Sequence, residues 1–242
     1  MNMNVDLSQT ILPEQQKEAI QFFCKSMVSS PDSPAKSIVL YGSAARTDYR
    51  PGSSDINLLI ILECADIKSL KGLIETVAAG RASGIAPLFL TTPDLLKLST
   101  SFPLKYLSIQ DSHITLYGDD PLLQITIGHE ALQLRCRQEL LNLLMRLRRN
   151  YLYSMGHNLT GFLTLSLKGF LEVLRIFLYL KSRHLPPRDK TIETAESLLG
   201  ADVSVIREMV KVKEDQATPD ADMIEAIYDR YFNLVEKIAG DI

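Results

Sequence analysis

The chain has 242 residues, of which 46% are hydrophobic and 23% are charged, and its 26 basic and 29 acidic residues give a net charge of −3. This composition is typical of a globular protein with a sizeable core, and the length suits one long domain or two ordinary ones. Because the charges nearly cancel, no global field attracts nucleic acid or an anionic membrane, and we expect neither as a partner. The apolar runs are too short or too interrupted to span a bilayer.

The start of the chain and its cysteines indicate the cellular compartment of the protein. The first residues lack the basic stretch followed by an apolar stretch that marks a signal peptide. Cys24, Cys64 and Cys136 are odd in number and contain no CxxC pair, which argues against a disulfide framework and a cysteine zinc site. The four histidines show no HxxxH spacing, and we expect His113 to be a surface or cap residue. These features predict a cytoplasmic protein.

The first half of the sequence alternates short apolar strands with helices. A helix begins after Pro13, where proline suits the first helical position, and its apolar side is predicted to include Phe22. A second helix is expected over 66–79. A short helix follows Pro93, and the stretch around Pro103 reads as irregular. Strands are predicted at 36–41, 55–62, 84–91 and 112–118.

From about residue 128 the pattern becomes entirely helical. The segment HEALQLRCRQELLNLLMRLRRNYLY places one apolar face along a long helix, and further apolar residues widen that face, so we expect burial along two sides. A second long helix ends before Pro186, two shorter ones follow, and a last one begins after Pro219. The prediction is an α+β protein with an α/β domain over 1–126 and a helical bundle domain over 127–242. The main face of the long helix holds Leu132, Cys136, Leu140, Leu143, Leu147 and Tyr151, and the widening residues are Leu134, Leu141 and Met145.

A turn and a strand in the first half carry the features that suggest chemistry. The strand ending at residue 41 runs into Gly42 and Ser43, with Arg46 three positions on. Asp55 stands at the start of the next apolar strand, and Asn57 lies two positions later and faces the same way. A strand that is buried on both faces has little reason to carry two such polar residues on one face. We therefore interpret the region as a site.

This arrangement resembles the signature of the DNA polymerase β-like nucleotidyltransferase superfamily, in particular the minimal and aminoglycoside-type nucleotidyltransferases of bacteria. The resemblance covers residues 36–118 and includes a closing Leu-Tyr-Gly strand at 116–118. It implies a nucleotidyltransferase-fold mixed sheet with flanking helices, followed by a C-terminal helical bundle. It also implies transfer of a nucleoside monophosphate from a nucleoside triphosphate to a hydroxyl, with Mg²⁺ held by carboxylates. Gly42, Ser43 and Arg46 match the positions that hold phosphates.

The acids of that signature are only partly kept. Asp55 matches the first acid, which serves the family as a metal ligand and catalytic residue. Asn57 stands where the second is expected, and Ala86, or its neighbour Pro87, stands at the third. An asparagine amide brings no negative charge and cannot act as a base, whereas Mg²⁺ relies on carboxylates and substrate phosphates.

Two hypotheses follow from this. In the first, the metal site has degenerated, and the chain binds a nucleotide or a protein partner with weak or no catalysis and no resident cofactor. Asn57 and the phosphate-holding positions would then form the binding site. In the second, the chain is an active nucleotidyltransferase that uses Mg²⁺ with a nucleoside triphosphate, and an acid from the bundle serves as the base. The candidates for that acid are Glu130, Glu139 and Glu172.

One basic cluster remains, formed by Arg146, Arg148 and Arg149 near the end of the first long helix. Cations at a helix C-terminus are favoured by the helix dipole, so we expect a solvated cluster rather than a phosphate site. Arg46 and Arg50 are better phosphate candidates because they flank the Gly-Ser turn.

Overall fold

The computed structural model describes residues 5–8, 10–29, 33–46, 48–52, 54–154, 157 and 159–242. The chain forms two compact units, Met1–Ile127 and Gly128–Ile242. They are called the N-terminal and the C-terminal unit below, and each is described by itself.

A mixed sheet of four strands lies at the centre of the N-terminal unit in the described part of the chain. The strand order is β3-β2-β1-β4, with β1 antiparallel to both β2 and β4, and β2 parallel to β3. The predicted strands are confirmed, and the first three are neighbours. The strands are β1 Ala35–Tyr41, β2 Ile56–Leu62, β3 Ile85–Thr91 and β4 His113–Tyr117.

Helices α1, α2 and α3 cover one face of the sheet. Side chains from α1, among them Phe23, pack with β1 and β2 residues in a single buried cluster. The prediction for Phe22 is wrong, because this residue is 67% exposed while its neighbour Phe23 is buried. The helix predicted over 66–79 is two helices separated near Gly72. The bounds are α1 Glu14–Val28, α2 Ile67–Lys71 and α3 Ile74–Ala82.

Helices α4 and α5 cover the other face, where Leu95, Tyr106 and Ile109 pack on β1 and β2. Helix α4 begins with a capping box in which Thr91 and Asp94 satisfy each other's backbone amides, which removes two unpaired donors at the helix start. The prediction of an irregular stretch around Pro103 is wrong, because helix α5 begins at Pro103. The bounds are α4 Thr92–Ser101 and α5 Pro103–Asp111.

The C-terminal unit is a bundle built around one large apolar cluster, and the mixed sheet followed by this helical part confirms the predicted α+β class. Gly200 ends the third helix in the left-handed conformation, with φ of 52°, as glycine at that position allows. None of the helices in the described residues combines the length and apolarity needed to cross a bilayer. The bounds are α6 His129–Tyr153, α7 Thr160–Ser182, α8 Thr191–Leu199, α9 Ser204–Lys213 and α10 Ala221–Gly240.

Helix α6 is buried along one side rather than two. The predicted main face is buried from Leu132 to Leu147, but its last member, Tyr151, is exposed, and so are the three residues predicted to widen it. The prediction of two buried sides is therefore wrong, because the neighbouring helices α7 and α10 pack on a single side of α6. The exposed widening residues are Leu134, Leu141 and Met145.

Candidate functional site

The Gly-Ser turn is a short 3₁₀ turn, Gly42–Ala45, that begins where β1 ends. Gly42 has a φ of 79°, a left-handed conformation that glycine adopts without strain. A Cβ atom added to Gly42 would lie 3.1 Å from Nδ2 of Asn57. Glycine is therefore needed for two reasons, the backbone conformation and the close approach of the Asn57 side chain.

The strand register places the site residues side by side. Asn57 on β2 pairs with Tyr41 on β1 and with Ala86 on β3, so the three side chains lie on one face of the sheet. Asp55 directly precedes β2 and stands two residues before Asn57. A hydrogen bond from the amide of Ile56 to the carbonyl oxygen of Gly84, at 3.0 Å, joins the starts of the two strands. Asn57 is thus the direct neighbour of Ala86, one of the two positions at which the resemblance implies a third acid.

The Asn57 side chain presents a donor to this site. It is half-buried, and its Nδ2 lies 3.4 Å from the main-chain carbonyl oxygen of Asp55, to which it donates a long hydrogen bond. An amide nitrogen can donate to a phosphate or carbonyl oxygen, whereas a carboxylate in the same place would repel a phosphate unless a cation lay between them.

Asp55 is exposed and stands close to Tyr49. Tyr49 is almost fully buried, and the pKa of its hydroxyl is raised, first by burial and then by the negative charge of Asp55. Burial and the adjacent carboxylate thus both favour the neutral phenol. The sequence does not predict Tyr49 as a site residue, because the only sign of it is an aromatic residue within a polar loop.

Arg46 is held by a neighbouring acid. Its Nε and Nη2 atoms each donate to one oxygen of the Asp48 carboxylate at 3.0 Å, and Asp48 is the more exposed of the two side chains. A planar guanidinium binds a phosphate with the same two N–H donors that it offers to a carboxylate. Asp48 therefore occupies the two donors of Arg46 that a phosphate would use.

The row of side chains continues to β4. Tyr41 pairs with His113 across β1 and β4, and Nε2 of His113 lies 2.9 Å from an Asp120 carboxylate oxygen. Nδ1 of His113 lies 3.1 Å from the carbonyl oxygen of Gln110. The His113 side chain is thus largely buried rather than at the open surface, and it caps the last turn of α5 at Gln110, which is the second of the two expected roles.

The residues at this site do not fit a resident Mg²⁺ ion. In the described part of the chain, no group of three or more His, Cys, Asp or Glu side chains is placed to hold a metal. Asn57 and Ala86 add no charge beside Asp55, and Mg²⁺ gives up its hydration water reluctantly without carboxylates.

Two of the three acids proposed as bases are engaged elsewhere. Glu139 forms an ion pair with Arg135 at 2.5 Å, and Glu172 forms one with Arg188. Both pairs lie within the C-terminal unit.

Two of the three arginines of the basic cluster lie against aromatic rings of the bundle. The guanidinium of Arg146 lies 5.4 Å from the ring centre of Phe162. That of Arg148 lies 5.6 Å from the ring centre of Phe232 and donates to Glu236 at 3.1 Å. These contacts agree with a structural role at the surface.

Comparison with solved structures identifies the fold. The crystal structure of spectinomycin adenyltransferase AAD(9) from Enterococcus faecialis with ATP and spectinomycin aligns with 93% of this chain and 100% of its own, at a TM-score of 0.55 and 12% sequence identity. The chain has the DNA polymerase β-like nucleotidyltransferase fold. No family model matches the sequence, and no curated protein is significantly similar to it.

Within this nucleotidyltransferase fold, Gly42, Asn57 and Ala86 meet at one end of the sheet. Ser43 follows in the same turn, and Asp55 opens the strand that carries Asn57. Arg46 directly follows the turn, and its guanidinium donates two hydrogen bonds to Asp48. Their roles in binding or catalysis stay predictions.

Proposed function

We propose that this chain binds a nucleoside triphosphate at the Gly42–Ser43 turn with little or no nucleotidyl transfer. The observation that carries the proposal is the register of β2 and β3, which sets the neutral Asn57 and Ala86 side by side next to Asp55. A solved structure with the same fold contains ATP, which supports a nucleotide as the ligand.

The change from carboxylate to amide alters what the site attracts. Three clustered acids repel a triphosphate until metal ions neutralise them. With Asp55 as the remaining acid of the set, and with Asn57 offering N–H donors, a phosphate chain meets less repulsion in the absence of metal. Binding would then depend less on Mg²⁺ than transfer does.

Gly42, Ser43 and Arg46 would each contribute differently to phosphate binding. Gly42 lets the backbone come close to a phosphate because it has no side chain, and the Ser43 hydroxyl can donate to a phosphate oxygen. Arg46 supplies positive charge once it exchanges Asp48 for phosphate. Asp55 lacks beside it the second acid that in-line transfer to a hydroxyl would need.

The first test measures binding and turnover together. A nucleoside triphosphate in tenfold excess over its dissociation constant should stabilise the folded protein by on the order of 1 kcal/mol, because it binds only the folded state. We expect a raised melting temperature in EDTA and a similar rise with Mg²⁺, with no pyrophosphate released in either. Each of the four common nucleoside triphosphates is tested at millimolar concentration by thermal shift and by pyrophosphate assay.

Two outcomes would contradict this proposal. If none of the four nucleotides changes the melting temperature, the chain does not bind nucleotide at this site. If the wild type releases pyrophosphate and Asp55→Ala abolishes the release, the chain is an active Mg²⁺-dependent nucleotidyltransferase, and the degenerate-site hypothesis is wrong.

A second prediction concerns the acid that holds Arg46. Asp48→Asn removes the charge that competes with phosphate, so the nucleotide-induced rise in melting temperature should increase. The stability of the free protein should change by less than about 1 kcal/mol, as for other exposed ion pairs. In an Arg46→Ala background, Asp48→Asn should have no such effect.

A matched control exists in the C-terminal unit. Glu196 binds Nε and Nη2 of Arg207 in the same two-donor geometry, at 2.8 and 2.9 Å. Glu196→Gln should leave the nucleotide-induced shift unchanged. A shift that stays the same in Asp48→Asn would show that Asp48 only orders the loop and does not compete for Arg46.

A further inference from the structure

The outer side of α6 carries a narrow apolar stripe that faces away from the core of the bundle. We define the outer stripe as Leu134, Leu141, Met145 and Leu152, which are 60%, 44%, 59% and 72% exposed. At about 100° per residue these four side chains fall within about 40° of one another on the helix. The buried residues of α6, from Leu132 to Leu147, lie on the opposite side.

The outer stripe fills four of the six positions of a heptad seam along α6, and Gln138 and Arg148 stand at the other two. Successive members are separated by seven, four and seven residues, which follows the heptad period at which two helices stay in contact. The stripe spans about 27 Å along the helix at 1.5 Å per residue. A surface helix that lies on a membrane presents a broader apolar face, so one partner helix fits the stripe better than a lipid surface does.

The charges beside the outer stripe indicate the chemistry of that helix. Arg137 lies about 60° to one side of the stripe and Arg149 about 60° to the other. Neither arginine forms an ion pair with a residue that the structure describes. Paired cations flanking an apolar seam favour a partner with acidic residues at its own flanking positions.

A second copy of this chain fits less well. The outer stripe is symmetric about residue 143, so two copies could pair their apolar residues in antiparallel fashion. That pairing would set Arg137 of one copy beside Arg148 of the other, which Glu236 already pairs, so α6 of a second copy offers Arg137 no acidic partner.

We propose that the outer stripe is the docking site for an acidic amphipathic helix of another protein. The bound helix would place apolar side chains at heptad positions along the stripe, and glutamate or aspartate near Arg137 and Arg149. This inference does not depend on nucleotide binding.

The test uses two synthetic peptides of three heptads with leucine at the seam positions. One peptide has glutamate at the flanking positions and the other has lysine, and both carry a fluorophore for anisotropy. The glutamate peptide should bind the full-length protein, and the lysine peptide should bind on the order of tenfold more weakly, which corresponds to 1.4 kcal/mol. Leu141→Gln with Met145→Gln should weaken binding of the glutamate peptide by at least about tenfold.

Two further variants keep the test specific. Leu165 is 81% exposed on α7 and outside the stripe, so Leu165→Gln should bind the glutamate peptide like the wild type. Arg137→Glu with Arg149→Glu should reverse the preference toward the lysine peptide. All substituted positions are exposed, so the circular dichroism spectra should match the wild type.

Several results would overturn the proposal. One is failure of the glutamate peptide to bind, and another is equal binding by the Leu141→Gln, Met145→Gln variant. Dimerisation in sedimentation experiments that is lost in this variant would assign the stripe to a second copy. Binding to phosphatidylserine vesicles that is lost in the same variant would assign it to a membrane.

Discussion

Gly118→Ala is expected to lower the free energy of unfolding of the N-terminal unit by about 2–5 kcal/mol. Gly118 follows β4 with a φ of 71°, and a Cβ atom there would lie 2.0 Å from the carbonyl oxygen of Lys36. That oxygen belongs to the backbone of β1 and cannot rotate away. Urea unfolding followed by circular dichroism measures the loss, and hydrogen exchange of the β1 and β4 amides locates it.

Gly52→Ala is the matched control for this substitution. Gly52 has a similar φ of 79°, but no atom lies within 4 Å of the position of an added Cβ. Its loss should therefore be limited to the strain of a left-handed alanine, about 1 kcal/mol. Equal losses at the two glycines would show that β1 and β4 do not approach each other as closely as described.

The double change Asn57→Asp, Ala86→Asp should strongly destabilise the protein at neutral pH unless Mg²⁺ is present. It sets three carboxylates together at the starts of β2 and β3, and two charges about 5 Å apart repel by roughly 1–3 kcal/mol at a protein surface. With Mg²⁺ bound between them the repulsion is relieved, so the melting temperature should rise with Mg²⁺ in the double variant and hardly change in the wild type. Thermal unfolding with and without Mg²⁺ measures both effects.

The pH dependence of this variant has a definite sign. Neighbouring carboxylates raise each other's pKa in the folded state above the unfolded values near 4. Groups with a raised folded pKa stabilise the protein only in acid, and this contribution is lost as the pH rises through the folded pKa. The difference in stability between the double variant and Ala86→Asn should therefore be small at about pH 4 and grow towards pH 7.

The control for the double variant is Ala86→Asn, which has the same shape without the charges. If it is as unstable as the double variant at every pH, steric crowding rather than repulsion explains the loss. A double variant without a response to Mg²⁺ would mean that these positions do not face a common cavity.

The local features of the N-terminal unit could be predicted from the sequence because each rests on a short pattern. The strand before Gly42 and the strand after Asp55 are uninterrupted apolar runs, and such runs mark strands covered on both faces. Pro103 misled the prediction for the opposite reason. A proline breaks a helix interior but suits the first turn, and the sequence does not say in which of these places it stands.

The register and the burial of faces could not be predicted, because both depend on contacts between distant segments. The acid missing from β3 could be placed at Ala86 or Pro87 by sequence, and only the pairing with Asn57 puts Ala86 beside it. In α6, apolar residues occur on two sides, and periodicity cannot tell which side meets α7 and α10. Periodicity alone therefore predicts Leu141 in the core, whereas the structure leaves it exposed.

The position of β1 between β2 and β4 has a consequence for the synthesis of the chain. β1 can pair with β2 as soon as residue 62 has left the ribosome, but its other edge must wait for β4, His113–Tyr117. Until then an apolar strand exposes unpaired backbone groups, which is a template for association with other chains. The nascent N-terminal unit is thus most in need of chaperone protection during the interval in which α2 to α5 are being made.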